Sequence, residues 1–218
     1  MLKKAIIFGL IALGFTSCEQ TDKAHQTLVH QDGRIKPKLL TLNVIDRSSN
    51  SIPWDLSSEF TELVHHQLKN FGSIYLQSPE DLDENIDPYE LAKQIQRSPK
   101  LCSTKIGAEE FLASVEIIEH KIAPTGHKTI QANAQTHLLT IKARIKVFDL
   151  RKNKAELVLS EIVESQTFVP WQLSTINYKK NHINTTQYKV TPIGLGHKQM
   201  AQQISERIHD YVLLAKSR

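Results

Sequence analysis

The chain has 218 residues, 40% of them hydrophobic and 23% charged, which suits one domain of ordinary size with a proper core. Its formal charge of +4 includes Lys3 and Lys4 of an N-terminal leader; without them 25 basic side chains stand against 23 acidic ones, with none of the concentrated basic face a nucleic-acid binder uses. There are two cysteines, Cys18 and Cys102, and no C-x-x-C, which excludes a zinc knuckle and a thioredoxin-like motif.

Met1-Leu2-Lys3-Lys4 is a basic start, and Ala5 to Phe15 is an apolar core of eleven residues without a charge. A bilayer span needs about 20 apolar residues, so this run has the size of a signal-peptide core. Small residues Thr16 and Ser17 follow, then Cys18 and the polar stretch Glu19 to Lys23. Phe15-Thr16-Ser17-Cys18 resembles a bacterial lipobox, with Phe15 where that family usually carries Leu. The resemblance implies that residues 1–17 are removed, that Cys18 is acylated and becomes the first mature residue, and that the chain is tied to a membrane. Glu19 is not the Asp that favours inner-membrane retention in lipobox families, which directs the expectation to the outer membrane, facing the periplasm. The alternative is an ordinary export signal in which Cys18 is incidental. Each buried methylene contributes roughly 0.8 kcal/mol, so one acyl chain holds weakly and two or more hold firmly. With Cys18 acylated, Cys102 has no intramolecular partner; it is expected to be buried as a small apolar residue or paired between molecules.

Residues 18–36 read as the lipidated cysteine and a polar tether, and residues 37–218 as a single α+β periplasmic domain. Lys38 to Ile45 is a first strand, with Leu40, Leu42 and Val44 alternating with Thr41 and Asn43. A helix follows, capped by Ser57 or Ser58, with Glu59 and Glu62 at the positive end of its dipole and Gly72 at its close. Phe60, Leu63, Val64, Leu68 and Phe71 form its apolar stripe. Ser73 to Gln77 is a short strand, Pro79 to Asp87 a loop, and Pro88 to Ile95 a second helix. Glu110 to Ile122 is a strand with Phe111, Ala113, Val115 and Ile117 on one face. Leu139 to Val147 alternates most clearly, and Glu156 to Phe168 returns beside it after a turn at Asp149 to Lys154. A long polar segment over 170–192 leads to a closing helix from about Leu195 to Leu214, striped by Met200, Ile204, Ile208, Tyr211 and Val212.

The order β-α-β-α-β-β-β-α predicts an α+β fold: a single mostly antiparallel sheet with helices packed on one face. Four phrases carry a further resemblance: Leu42 to Ser49, Asp55-Leu56-Ser57-Ser58-Glu59-Phe60, Gly107-Ala108-Glu109-Glu110-Phe111-Leu112, and Lys146-Val147-Phe148-Asp149-Leu150-Arg151. Together they resemble the envelope group that includes CsgG, LpoB and the N-terminal domain of TolB. The ending, Asp149 to Phe168 and then Gln199 to Leu214, is also similar to LptE-type lipopolysaccharide-assembly lipoproteins.

No motif for catalysis stands out: G-x-S-x-G, S-x-x-K and H-E-x-x-H are all missing. His65 and His66 are neighbours on a helix and point about 100° apart, so they cannot share an ion, and Glu62 with His66 lacks a third ligand. Gly194-Leu195-Gly196-His197 reads as a loop with a flexible backbone before the last helix. No metal or cofactor is expected. The better candidate is a surface combining Trp54, Phe168, Trp171, Tyr178, Lys179, Lys180, Tyr188 and Lys189, aromatic and basic groups of the kind that meet a protein or an anionic lipid. The opposite expectation is that Phe168 and Trp171 cap the core. The resemblances imply a non-enzymatic accessory or scaffold of a cell-envelope machine, partnered by a peptidoglycan synthase or an outer-membrane barrel. The LptE-type alternative would bind anionic glycolipid through Lys179, Lys180 and Lys189 as well as a barrel.

Overall fold

The structure, a computed structural model, describes residues 27–49, 54–77, 109–125, 136–152, 155–174 and 185–218. The expected leader, Cys18, Cys102, Gly107-Ala108, the helix over 88–95, and Tyr178, Lys179 and Lys180 lie outside the described residues.

Six strands build one sheet in the order β3-β1-β4-β5-β6, with β2 paired to β4 beyond the end of β1. These are β1 (Lys38–Thr41), β2 (Ile45–Asp46), β3 (Tyr75–Gln77), β4 (Phe111–Pro124), β5 (Thr136–Asp149) and β6 (Glu156–Pro170). The last three form the expected antiparallel meander. On β5, Leu139, Ile141, Ala143, Ile145 and Val147 are buried, while Thr140, Lys142, Arg144 and Lys146 alternate with them as partly exposed residues. The helices pack over the buried face. They are α1 (Leu56–Phe71), α2 (Thr186–Lys189) and α3 (Pro192–Lys216).

The first strand differs from expectation. It stops at Thr41, and Leu39 and Leu40 are both fully buried although they point to opposite faces. The cause is its position: β1 runs parallel to β3 on one side and β4 on the other. A parallel strand covered on both faces reads as a continuous apolar run, so the alternation of Leu40, Leu42 and Val44 was not the signal of a single buried face. Leu112 and Phe148, paired across β4 and β5 on the side away from the helix-side core, are buried as well.

α1 starts two to three residues earlier than either serine would set it. Asp55 is its N-cap and accepts from the Ser58 backbone N–H at 3.2 Å, while Gly72 closes it in the left-handed region at φ 68°. Leu56, Phe60, Val64 and Leu68 form the buried stripe, each contributing on the order of 1.5–3 kcal/mol. Phe71, the expected last member of that stripe, is partly exposed at the helix end.

α3 also starts earlier than expected, at Pro192, with the Thr191 hydroxyl accepting from Gly194 N–H. The two glycines therefore lie inside the helix, not in a flexible loop. Their role is close approach: a Cβ at Gly194 would collide with the Tyr188 carbonyl, and one at Gly196 would lie 2.9 Å from Thr167 Oγ1 and 3.1 Å from Leu139 Cδ2.

Register gives the sheet two ends. β1 and β4 begin, and β5 finishes, where Leu39, Phe111, Asp149 and Glu156 line up; we call this the leading end. Pro124, His137 and Val169 line up at the trailing end. α3 begins at the trailing end, against Thr167, and finishes at the leading end, where Arg151 donates to the Ala215 carbonyl at 2.7 Å and Lys216 pairs with Glu110.

Candidate functional site

A buried polar cluster joins four parts of the fold. Glu59 of α1 accepts from Trp54 Nε1 and from the Tyr188 hydroxyl, both at 2.9 Å, and its Oε1 lies 2.8 Å from His197 Nδ1. His197 Nε2 lies 2.8 Å from His120 Nε2 on β4. His197 donating from Nδ1 to Glu59, with a single proton shared between the facing Nε2 atoms of His197 and His120, satisfies both contacts. Burial alone would raise the Glu59 carboxyl, but the hydrogen bond and charge of His197, aided by Trp54 and Tyr188, outweigh it and hold that carboxyl below its ordinary range. Burial, reinforced by the His197 charge, pushes His120 down to about 4.

The cluster was not foreseen. Glu59 is expected only as a dipole partner of its helix, and His120 only as one residue of the strand over Glu110 to Ile122. The stripe of Met200, Ile204, Ile208 and Val212 extends upstream at helical spacing through His197 and Ile193, both fully buried, and Thr191-Pro192 marks the start of that helix. That spacing was the available signal. Chemically the cluster ties α1, α2, α3 and β4 together. Beside it, between α1 and the start of α3, lies a cavity of about 350 Å³ lined by apolar Leu63, Val190 and Leu195, by Lys189 and Lys198, and by the carboxylates Glu59 and Glu62.

The expected recognition surface is divided. Tyr188 is 2% exposed and turned into the cluster, packed edge-on against Trp54 at 6.1 Å, so it is withdrawn from any partner; its aromatic body fills the space under α3. Lys189, next to it, is exposed. Phe168 and Trp171 lie elsewhere, at the trailing end. Phe168 stands between Thr167 and Val169, which face the helix side, so strand alternation turns it outward, and it is 70% exposed. Trp171 and Leu173 follow in a short 3-10 turn, 46% and 45% exposed. None of the three caps the core. They form an apolar tip on β6, whose outer edge has no partner strand among the described residues.

The polar side of the meander is internally neutralised. Glu116 is gripped by Arg47 and Arg144, each at 3.0 Å, and Lys142 pairs with Glu119 at 2.9 Å and Glu164 at 3.6 Å. His65 and His66 diverge as expected, the first bonding Thr41 at 2.6 Å and the second Asn70 at 3.2 Å. No group of three or more His, Cys, Asp or Glu residues able to hold a metal exists among the described residues. Ser73 Oγ lies 2.6 Å from His209 Nε2, and His209 Nδ1 lies 3.1 Å from Asp210. Asp210 is exposed to water, and the contact ties the start of β3 to α3. No helix among the described residues is long and apolar enough to cross a membrane.

Comparison with known proteins places this fold in company. A family model described as a family of unknown function, DUF7499, matches residues 25–216. No curated protein matches the chain. Among solved structures, hypothetical protein CT253 from Chlamydia trachomatis is 24% identical and has a TM-score of 0.64, over 81% of this chain and 98% of that one. Lipoprotein GNA1162 from Neisseria meningitidis is 9% identical with a TM-score of 0.43, over 80% of this chain and 99% of that one. A minor lipoprotein from Acinetobacter baumannii is 12% identical with a TM-score of 0.40, over 80% of this chain and 91% of that one. CT253 shares the fold with this chain.

Proposed function

The chain belongs to DUF7499, and from that premise we propose that it is a lipid-anchored protein of the cell envelope, facing the periplasm, that works without catalysis as an accessory or scaffold of an assembly machine. The observation that carries this reading is the arrangement of residues 1–18: a basic start, an eleven-residue apolar core and a cysteine after two small residues. The mechanism is tethered docking. The lipid on Cys18 confines the domain, confinement raises its effective concentration at the membrane, and a modest interface then suffices. The apolar tip of Phe168, Trp171 and Leu173 supplies that interface; aromatic side chains beside neutralised charges are what a docking surface uses.

The partner class follows from the envelope group that the sequence phrases resemble: a peptidoglycan synthase, as for LpoB-like proteins. Mass spectrometry of the native amino terminus together with crosslinking pull-down from intact envelopes tests the reading. An acylated Cys18 and recovery of a synthase support it; an unmodified Cys18 or monomer alone contradicts it.

A second reading, an LptE-like binder of anionic glycolipid and a barrel, has one specific observation in its favour. The cavity beside Glu59 combines apolar Leu63, Val190 and Leu195 with Lys189 and Lys198, which would meet the head of an anionic amphiphile against the opposing carboxylates of Glu59 and Glu62. Lipopolysaccharide binding that is lost in a Lys189→Glu/Lys198→Glu variant would favour it over the first.

A further inference from the structure

Residues 27–36, expected to belong to the tether, form a small hairpin at the leading end. Val29 bridges Ile35, Lys36 N–H bonds the Leu28 carbonyl at 2.9 Å, and the turn His30 to Gly33 closes with Gly33 at φ 82°. Asp32 steadies the turn by accepting from Arg34 backbone N–H at 3.1 Å and Nε at 2.7 Å. Such a hairpin has every means to hide its apolar residues against the neighbouring domain. It does not: Leu28, Val29 and Ile35 are 45%, 46% and 68% exposed, and none belongs to the core cluster. Val29 and Ile35 sit directly opposite each other, so their side chains share one face. Phe71, also exposed, lies across a cleft that the hairpin makes with the end of α1.

We infer that this hairpin is a membrane-seating element whose partner is a phospholipid surface, and that it sets the orientation of the whole domain. The inference rests on the anchor reading, because what selects a bilayer over other occupants is the length of chain between anchor and hairpin. Nine peptide steps separate Cys18 from Thr27, and a chain spans at most about 3.6 Å per residue. Thr27 therefore stays within about 30 Å of the anchored cysteine by any path. The surroundings suit lipid headgroups. Lys69 stands near the end of α1 and Arg218 on the leading end with exposed Leu157 and Leu214, while Arg34 and Lys152 lie there as exposed ion pairs with Asp32 at 2.7 Å and Glu156 at 2.6 Å. Aliphatic side chains set among ion pairs and a few bases such as Lys69 and Arg218 are what an interfacial element presents.

Seating fixes direction. Phe168 is twelve residues along β6 from Glu156, about 40 Å at strand rise, at the other end of the sheet. With the hairpin on the membrane, the tip of Phe168, Trp171 and Leu173 projects away from it, toward partners in the periplasm.

The test uses the whole mature chain with Cys18 acylated, in vesicles of phosphatidylethanolamine and phosphatidylglycerol. An environment-sensitive fluorophore is attached through Ile35→Cys or Phe168→Cys, each in a Cys102→Ser background. Lipid-borne quenchers should quench the label at position 35 at least threefold more than the label at 168. A second arm uses the unacylated chain, Cys18→Ser: its cosedimentation with the same vesicles should fall at least fivefold in a Leu28→Ser/Ile35→Ser variant. Equal quenching at the two positions, unchanged cosedimentation, or a patch that drives only self-association overturns the seating while leaving the anchor in place. An unacylated native Cys18 overturns the anchor and the reach argument with it.

Discussion

Ile35 and Phe168, 68% and 70% exposed, lie at opposite ends of one sheet, the first beyond the start of β1 and the second near the end of β6. The exposed apolar side chains follow that division. Leu28, Val29, Ile35, Phe71, Leu157 and Leu214 gather at the leading end and Phe168, Trp171 and Leu173 at the trailing end, with α3 running between the two; Ile162 in the middle of β6 and Val190 and Leu195 about the start of α3 are exposed outside these two groups. A domain that must touch a membrane and a partner at once needs two such poles.

The trailing pole is separable from folding. Phe168→Ser and Trp171→Ser alter side chains that hold nothing in the core, so each should change stability by less than about 0.5 kcal/mol. Denaturant unfolding checks this. A large loss would make these residues part of the core instead.

The buried cluster should behave in the opposite way. His197→Ala strips Glu59 of a hydrogen-bond partner inside the fold, and leaving a buried polar group unsatisfied costs about 1–3 kcal/mol, more for a charged carboxylate. Glu59→Gln with His197→Gln removes the carboxylate and the ring together, and should cost less than the sum of the two single changes. Urea unfolding of the four proteins measures the coupling; strict additivity would contradict the cluster.

Acid should weaken the fold in a defined window. His120 is held at about 4, by burial first and then by the His197 charge, with Glu59 opposing; His65 is held at about 4 by burial and by Lys69. The unfolded chain takes up these protons near 6.5, so it binds more protons than the folded chain from about pH 6.5 to about pH 4. Stability is therefore full above that window and falls as pH drops through it, by about 3 kcal/mol for His120. Glu59, depressed below its ordinary 4.5, adds a further loss in more acid solution. Unfolding midpoints taken from about pH 7.5 to about pH 4 should decline, and His120→Gln should flatten the decline; a level profile would contradict the assignment.

Gly194→Ala should be the costliest glycine change. Its Cβ meets the Tyr188 carbonyl, a backbone atom that cannot swing aside, whereas Gly196→Ala meets the Thr167 side chain. Overpacking costs typically about 1–3 kcal/mol, with Gly194 at the upper end. Thr167→Ser should not rescue Gly196→Ala, because the hydroxyl oxygen remains; Thr167→Ala, which removes that oxygen and leaves the Leu139 contact at 3.1 Å, should rescue it in part.

Much of this architecture is legible in the sequence. The alternation from Leu139 to Val147 gave the meander, and the stripe Phe60, Val64, Leu68 with Gly72 after it gave α1. What escaped has physical causes. β1 is buried on both faces, so its pattern carries no orientation. Two glycines disguised the start of α3, because glycine also serves close packing. The Glu59–His197–His120 contacts join residues 138 and 77 positions apart, a proximity that local periodicity does not encode. Tyr188 was counted among surface aromatics for want of that same contact. The exposure of Leu28, Val29 and Ile35 went unread because a ten-residue hairpin carries too short a pattern to separate from a polar tether.

The central claim is a domain seated on a membrane at one pole and docked to a partner at the other. A photoreactive amino acid placed in turn at Ile35 and at Phe168 of the native lipoprotein, and activated in intact envelopes, tests it most directly. The account predicts phospholipid adducts from position 35 and a discrete protein adduct from position 168. Monomer alone from position 168, or the same adducts from both, would contradict it.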